Sequence, residues 1–203
     1  MAEKLITFKK PYKFEDKEYT ELDMSGLNKL TVQDVIDVQK SLQNSGNTAA
    51  MVVMETTAAF AMELAVKATK KPVEFYKLMP RWAFNQVQNA VMEALGSENR
   101  TVENHVVKFD TTYIYDGKKA EIKGESYDSV DLAGVEDLCV MNEITAENRM
   151  AAQGFTSVNK TRNYVYIASI AGMASGLPED FFTGLPLCEA LKLVDAVNTD
   201  FFD

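Results

Sequence analysis

The chain has 203 residues, 46% hydrophobic and 25% charged, with a net charge of −9. Such a composition excludes wholesale disorder and leaves room for one or two globular domains. The charge is uneven: residues 1–101 hold 13 Lys+Arg and 13 Asp+Glu, residues 102–203 hold 8 and 17, so the second half lacks the basic face that nucleic acid or an anionic membrane requires.

The N-terminal stretch MAEKLITFKKPYKF has no apolar h-region or cleavage site, so no signal peptide is expected. Ile6, Phe8, Tyr12 and Phe14 share one parity while Lys9 and Lys13 share the other, the period of a half-buried strand. A turn at Glu15-Asp16 and a return strand from Tyr19 to Met24 complete a hairpin. Thr31 then caps a helix carrying Val32, Val35 and Ile36 on one face, which Ser45-Gly46-Asn47 breaks. A long helix is expected from about Thr48 to Lys70. Pro72 sits at the start of a one-turn helix, and Pro80 starts a last helix from Trp82 to Leu95.

The pattern then recurs. Phe8, Tyr12 and Phe14 return as Phe109, Tyr113 and Tyr115 at an offset of 101, and Val32, Val35 and Ile36 as Val135, Leu138 and Cys139 at 103. Pro72, Phe75, Tyr76, Met79 and Pro80 return as Pro178, Phe181, Phe182, Leu185 and Pro186 at 106, as do Val87, Ala90 and Val91 in Leu193, Ala196 and Val197. Matches in order with a slowly growing offset point to a duplicated module, and the period is too long for a solenoid repeat. In the second copy Asp116-Gly117 predicts the hairpin turn, with a return strand from Ala120 to Ser126 and helices over about Ser157–Ala174 and Leu187–Asn198. The fold class is α+β, mainly helical: a tandem duplication of a β-hairpin plus three-helix module, over 1–96 and 105–203, joined by a polar linker at 97–104.

Residues 49–66 approach the length of a spanning helix, but Glu55 and Glu63 and the Lys160 and Arg162 of the counterpart argue for no membrane. Cys139 and Cys188 fall in the slots of Ile36 and Trp82, so both read as small buried hydrophobes in a reducing compartment, most simply cytoplasm. The single histidine, His105, reads as an inert surface residue. No nucleophile motif, metal-ligand spacing or phosphate-binding glycine loop is present, so no catalytic residue, metal or cofactor is expected.

Apolar surface remains. The doublets Phe75-Tyr76 and Phe181-Phe182 either pack entirely inward or leave one ring to dock a partner. The helix over 49–66, with Met51, Met54 and Met62 among alanines, is either a central buried helix or an interface. With Trp82, these residues are the candidate partner-binding set, and a homo-oligomer built on the same surfaces is left open.

The stretch KLITFKKPYKFEDKEYTELDMSGLNKLTVQDVIDV resembles the N-terminal half of phage tail assembly chaperones, and IASIAGMASGLPEDFFTGLPLCEALKLVDAVNTDF is similar to their C-terminal half. Where the second copy reads GLPEDFFTGLPLCEA, the first reads KKPVEFYKLMPRWAF, and a tandem pair departs from the single module of ordinary members. The resemblance implies a non-enzymatic holdase in the cytoplasm of a bacterium carrying a phage or prophage. Its partners would be the tape measure protein, which it coats, and the tail-tube protein, whose subunits it helps recruit before leaving. The alternatives are a structural tail or baseplate component retained in the particle, and an unrelated scaffold module.

Overall fold

The computed structural model describes residues 4–46, 54–96, 102–156 and 159–198. The protein is mainly helical, with two small two-stranded antiparallel sheets. The first half runs β1 (Leu5–Phe14), β2 (Lys17–Asp23), α1 (Val32–Asn44), α2 (Ala58–Thr69), α3 (Val73–Lys77) and α4 (Arg81–Ala94). The second runs β3 (Val106–Ile114), β4 (Ser126–Asp131), α5 (Val140–Ala152), α6 (Tyr164–Ser175), α7 (Glu179–Thr183) and α8 (Ala190–Asn198). Short 3₁₀ turns link several of these, and the order of main elements is the same in both halves.

Both hairpins carry the same irregularity. Thr7 pairs with Glu21 but Tyr12 with Tyr19, and Lys108 pairs with Ser129 but Tyr113 with Tyr127. The extra residues bend each hairpin around a phenylalanine from its one-turn helix. Phe75 meets Tyr12, Phe14, Tyr19 and Tyr76 at ring centroid distances of 4.9–5.3 Å. Phe181 meets Tyr113, Tyr127 and Phe182 at 4.8–5.1 Å. The Tyr12 hydroxyl donates to the Phe75 carbonyl at 2.7 Å, locking the first cup shut. The prolines at 72, 80, 178 and 186 are the N-caps of their helical turns, where a missing amide proton does no harm.

The second hairpin departs from the sequence expectation. Asp116-Gly117 makes no two-residue turn; residues 115–125 form a wide loop with a 3₁₀ turn at Ala120–Ile122, and the return strand begins at Ser126. The cause is Asp180, whose carboxylate accepts from the Tyr115 hydroxyl at 2.9 Å and the Lys118 amide at 2.8 Å, pulling the chain off the hairpin path.

With this loop the two halves align in a register different from the one read in the sequence. Asp23, Met24 and Gly26 correspond to Asp131, Leu132 and Gly134, an offset of 108: both aspartates accept from the amide two residues on, at 2.7 and 2.8 Å. Gly26 lies so close to the Ala68 carbonyl, and Gly134 to the Ala174 carbonyl, that a Cβ would overlap each. At the same offset, Thr31 caps α1 and Cys139 caps α5, the Thr31 and Cys139 amides donating to Asp34 and Asn142 at 3.0 Å. The counterpart of Ile36 is therefore Ile144, not Cys139. Cys139 is exposed, and Cys188 is half-buried; both are free thiols.

The two central helices are shorter than expected. The Thr57 hydroxyl accepts from the Phe60 amide and starts α2 at Ala58, while the Asn163 side chain accepts from the Val165 and Tyr166 amides and starts α6 at Tyr164. No helix among the described residues is long and apolar enough to cross a membrane. Both helices are wrapped: α2 packs against α1, α3, α4 and the turn at Ser25–Lys29, and every residue of α6 from Tyr164 to Gly172 is buried.

The halves share one apolar core. The Val32 amide donates to the Leu185 carbonyl at 3.0 Å and the Leu187 amide to the Leu30 carbonyl at 2.9 Å, bridging Thr31 to Pro186. Over this bridge α1 packs on α6, α7 and the turn at Leu187–Glu189. Gln39 and Gln43 seal the seam: their amide groups donate to the Arg162 and Gly154 carbonyls at 2.7 Å and accept from the Tyr164 and Thr156 amides at 3.1 and 2.9 Å. Of the expected linker, residues 97–101 lie outside the described part; Asn104 and His105 adopt φ of 51° and 59°, a left-handed turn into β3.

Gly26→Ala and Gly134→Ala should each lose about 1–3 kcal/mol, since the turn must back away from a helix carbonyl. Urea denaturation of both variants checks this, and an unchanged midpoint in either would show that the close approach bears no load.

Candidate functional site

The residues singled out from the sequence fall mostly inside. Phe75, Phe181 and Phe182 are fully buried, and Tyr76 and Met54 nearly so. Both rings of each doublet pack, one in the hairpin cup and the other against the helix layer. The Tyr76 hydroxyl lies 2.6 Å from the Thr69 hydroxyl and donates to the Ala65 carbonyl at 3.3 Å. The helix layer therefore satisfies the ring that was a candidate for docking. Met62 and Trp82 are half-buried, Trp82 lying edge-on to Phe8 with the Lys10 ammonium 5.3 Å from its ring. Met51 lies outside the described residues.

Exposed apolar surface gathers instead on α5. Val140 is 72% exposed, Met141 65% and Ile144 40%. Val140 and Ile144 stand one turn apart and Met141 beside them, so the three make one patch at the start of the helix. The opposite face of α5 is fixed. Ala146 and Met150 are buried, and Lys160 holds Glu143 at 2.9 Å and Glu147 at 2.7 Å. Those two carboxylates, Glu147 foremost, push the Lys160 pKa up and keep its charge in place. Arg149 pairs with Glu179 and donates to the Ser169 hydroxyl at 2.9 Å. Around that pair α5, α6 and α7 enclose an open cleft of about 600 Å³, lined by Ala152, Gln153, Met173, Leu177 and Pro178. Patch and cleft together give one helix an apolar, methionine-bearing border.

Sequence reasoning missed the patch because Val32 and Ile36 were matched to Val135 and Cys139. The signal was present: Asp-x-x-Gly at 23–26 and 131–134 sets the register at 108 and lines up Val32 with Val140 and Ile36 with Ile144.

The densest polar cluster is structural. The Lys192 ammonium, nearly buried, lies 2.6 Å from Asp110, 3.0 Å from Glu189 and 3.0 Å from the Lys108 carbonyl, while Glu189 accepts from the Asp110 amide at 2.8 Å. Burial works against the ammonium, but Asp110 and Glu189 outweigh it and leave its pKa raised. Asp110, Cys188 and Glu189 have ligand-like spacing. Lys192 occupies the cation position between the carboxylates, however, and burial beside Glu189 pushes the Cys188 thiol up to about 12, so it is protonated and not an activated nucleophile at neutral pH. His105 is buried rather than on the surface, because the left-handed turn aims its ring inward; Nδ1 is 3.0 Å from the Ala196 carbonyl and Nε2 3.4 Å from Glu136.

Comparison of the chain with family models, curated proteins and solved structures finds no match.

Lys192→Ala should cost about 3–5 kcal/mol by leaving the buried Glu189 carboxylate without its cation, whereas Lys192→Met with Glu189→Leu should be near neutral. Calorimetric melting separates the two, and equal losses would mean that packing rather than charge holds the strand. Alkaline pH offers a second check. Burial pushes the Tyr76 hydroxyl up to about 12, against about 10 in an unfolded chain. Its contribution to stability is complete below pH 10 and is lost as pH rises towards 12, because the unfolded phenol ionises first. Tyrosinate absorbance should show Tyr76 titrating with unfolding, and the Tyr76→Phe variant should resist alkali better.

Proposed function

We propose that the protein is a non-enzymatic tail assembly chaperone of a phage or prophage, acting in the cytoplasm of the bacterial host. It holds the helical tape measure protein and helps recruit tail-tube subunits around it. The observation that carries this reading is the open patch of Val140, Met141 and Ile144 on α5. An exposed apolar strip with a flexible methionine suits a holdase, because it accepts amphipathic helices without strict demands on their sequence. The sequence resemblance supplies the identity of the client. The same reading takes residues 1–96 and 105–203 as copies of one ancestral module.

This reading puts client capture on α5, which holds none of the residues singled out from the sequence. The change follows from where apolar area is free: the large apolar side chains of α2 are buried or half-buried, whereas Val140, Met141 and Ile144 of α5 are exposed. The acidic residues beside the patch, Glu136 and Asp137, add a preference for helices or tube subunits that carry lysine or arginine next to their apolar face.

Co-expression with the long helix-rich protein encoded nearby, followed by pull-down, tests the proposal. Met141→Lys should weaken capture about tenfold or more, given the roughly 1.5–3 kcal/mol for burying a methionine. Circular dichroism and melting should stay unchanged, because the side chain is already in water. Undiminished capture by Met141→Lys would move the client elsewhere, and finding the protein in mature particles would favour a structural tail component.

A further inference from the structure

The joint between the halves has two open ends elsewhere on the same chain. Inside the protein, the receiving side is the start of α1: Thr31 is bridged, the Val32 amide is used, and Val32, Val35 and Ile36 are covered. The donating side is the Leu185–Pro186–Leu187 corner that leads into the last helix. The second half has a similar receiving side in Leu138, Cys139, Val140 and Ile144, with Glu143, held by Lys160, in the place of Val35. Cys139 caps α5 as Thr31 caps α1, and the same Val and Ile stand at the same two positions. No described residue covers Val140: it is 72% exposed where Val32 is fully buried. The first half has a donating side in Met79, Pro80 and Arg81, the counterparts of Leu185, Pro186 and Leu187. Pro80 and Arg81 there are exposed, and the neighbouring Leu78 is 69% exposed. Among the described residues no partner is recorded for the amides of Val140 and Arg81, which match the two amides that make the internal bridge.

Charge separates the two ends as well. Lys77 and Arg81 flank the donating corner, and Glu136 and Asp137 flank the receiving one, all four exposed. Their counterparts at the internal joint are Thr183, Leu187, Asn28 and Lys29, so the opposite charges belong to the free ends alone. Another copy of the chain has the complement of each end and can satisfy both.

We propose that the protein associates head to tail with itself, the Met79–Pro80–Arg81 corner of one copy docking on the start of α5 of the next. The contact repeats the internal joint: the Val140 amide donates to the Met79 carbonyl, the Arg81 amide donates to the Leu138 carbonyl, and Val140 and Ile144 become covered. Such a contact uses different surfaces on the two copies, so it adds subunits in series rather than stopping at a symmetric pair. The inference stands on the joint and not on the chaperone reading. Because the receiving end includes the client patch, copies and clients compete for α5, and a client releases the chain of subunits.

Sedimentation and light scattering of the wild-type chain, from micromolar to about 1 mM, should show a mass that climbs past the dimer with concentration. Two variants block one end each without disturbing the fold. Ile144→Glu places a charge at a side chain already 40% exposed. Arg81→Pro removes an amide at the first position of α4, where proline is favoured and the extended Pro80 before it is compatible. Each alone should remain monomeric, and an equal mixture should give a heterodimer and nothing larger, since each supplies the end that the other lacks. Arg81→Pro should keep full client capture, whereas Ile144→Glu should lose it, so failure of self-association and failure of the chaperone reading give different results. A wild-type chain that stays at 22.6 kDa throughout, a dimer that survives in both variants, or a mixture that stays monomeric would each overturn the proposal.

Discussion

A helix with no polar face has to be surrounded, and this requirement governs the whole molecule. The stretch Tyr164–Gly172 is buried without interruption, and α2 in the first half buries Phe60, Ala61, Leu64 and Ala65. A module of about 100 residues has too few elements to enclose such a helix alone. The hairpin covers one side only through the one-turn helix that carries Phe75 or Phe181, and the neighbouring helices cover two more. In the second half α1 completes the wall, reaching across the Thr31–Pro186 bridge. The shared core, the glutamine seam and the proline corners are all consequences of that shortage of material.

The arrangement is polar in the sense of having a direction. The first half gives its first helix to the second, and the second half gives its last corner to the first. Equivalent elements at the outer ends have no such neighbour among the described residues. The difference in surface between α1 and α5, one covered and one bare, follows position in the chain at Val32 and Val140 and at Ile36 and Ile144, where the residues are the same, and residue type at Val35 and Gln39, where α5 has Glu143 and Glu147. The uneven charge follows the same line: acidic residues accumulate around the second half, where an apolar patch in water needs like-charged neighbours to stay soluble.

Much of this was legible beforehand. Alternation gave the first hairpin, prolines gave the one-turn helices, and Thr31 gave the start of α1, because each of these is a local preference. Two things were not legible. The loop at 115–125 depends on Asp180, more than 50 residues away, and no local pattern announces that an Asp-Gly pair will be overruled by a distant carboxylate. That loop shifted the register of everything up to α5 and hid the patch. The aromatic doublets misled for another reason. Two adjacent rings on a surface helix normally diverge, but the bulged hairpin curls far enough to hold one while α2 holds the other.

The bridge between Leu30–Val32 and Leu185–Leu187 joins points roughly 155 residues apart, and closing so long a loop is slow. On a ribosome, α1 is made early and its cover is made last. At about 5–20 residues per second, Val32, Val35 and Ile36 wait roughly 8–30 s for the corner that shields them. During that interval the nascent first half shows the same kind of bare helix start that the finished protein shows on α5. Once α5 has been made, and until residues 185–187 follow, the chain has two bare helix starts and only its own early corner to offer, so crowded synthesis on one messenger would pair neighbours before each could close upon itself.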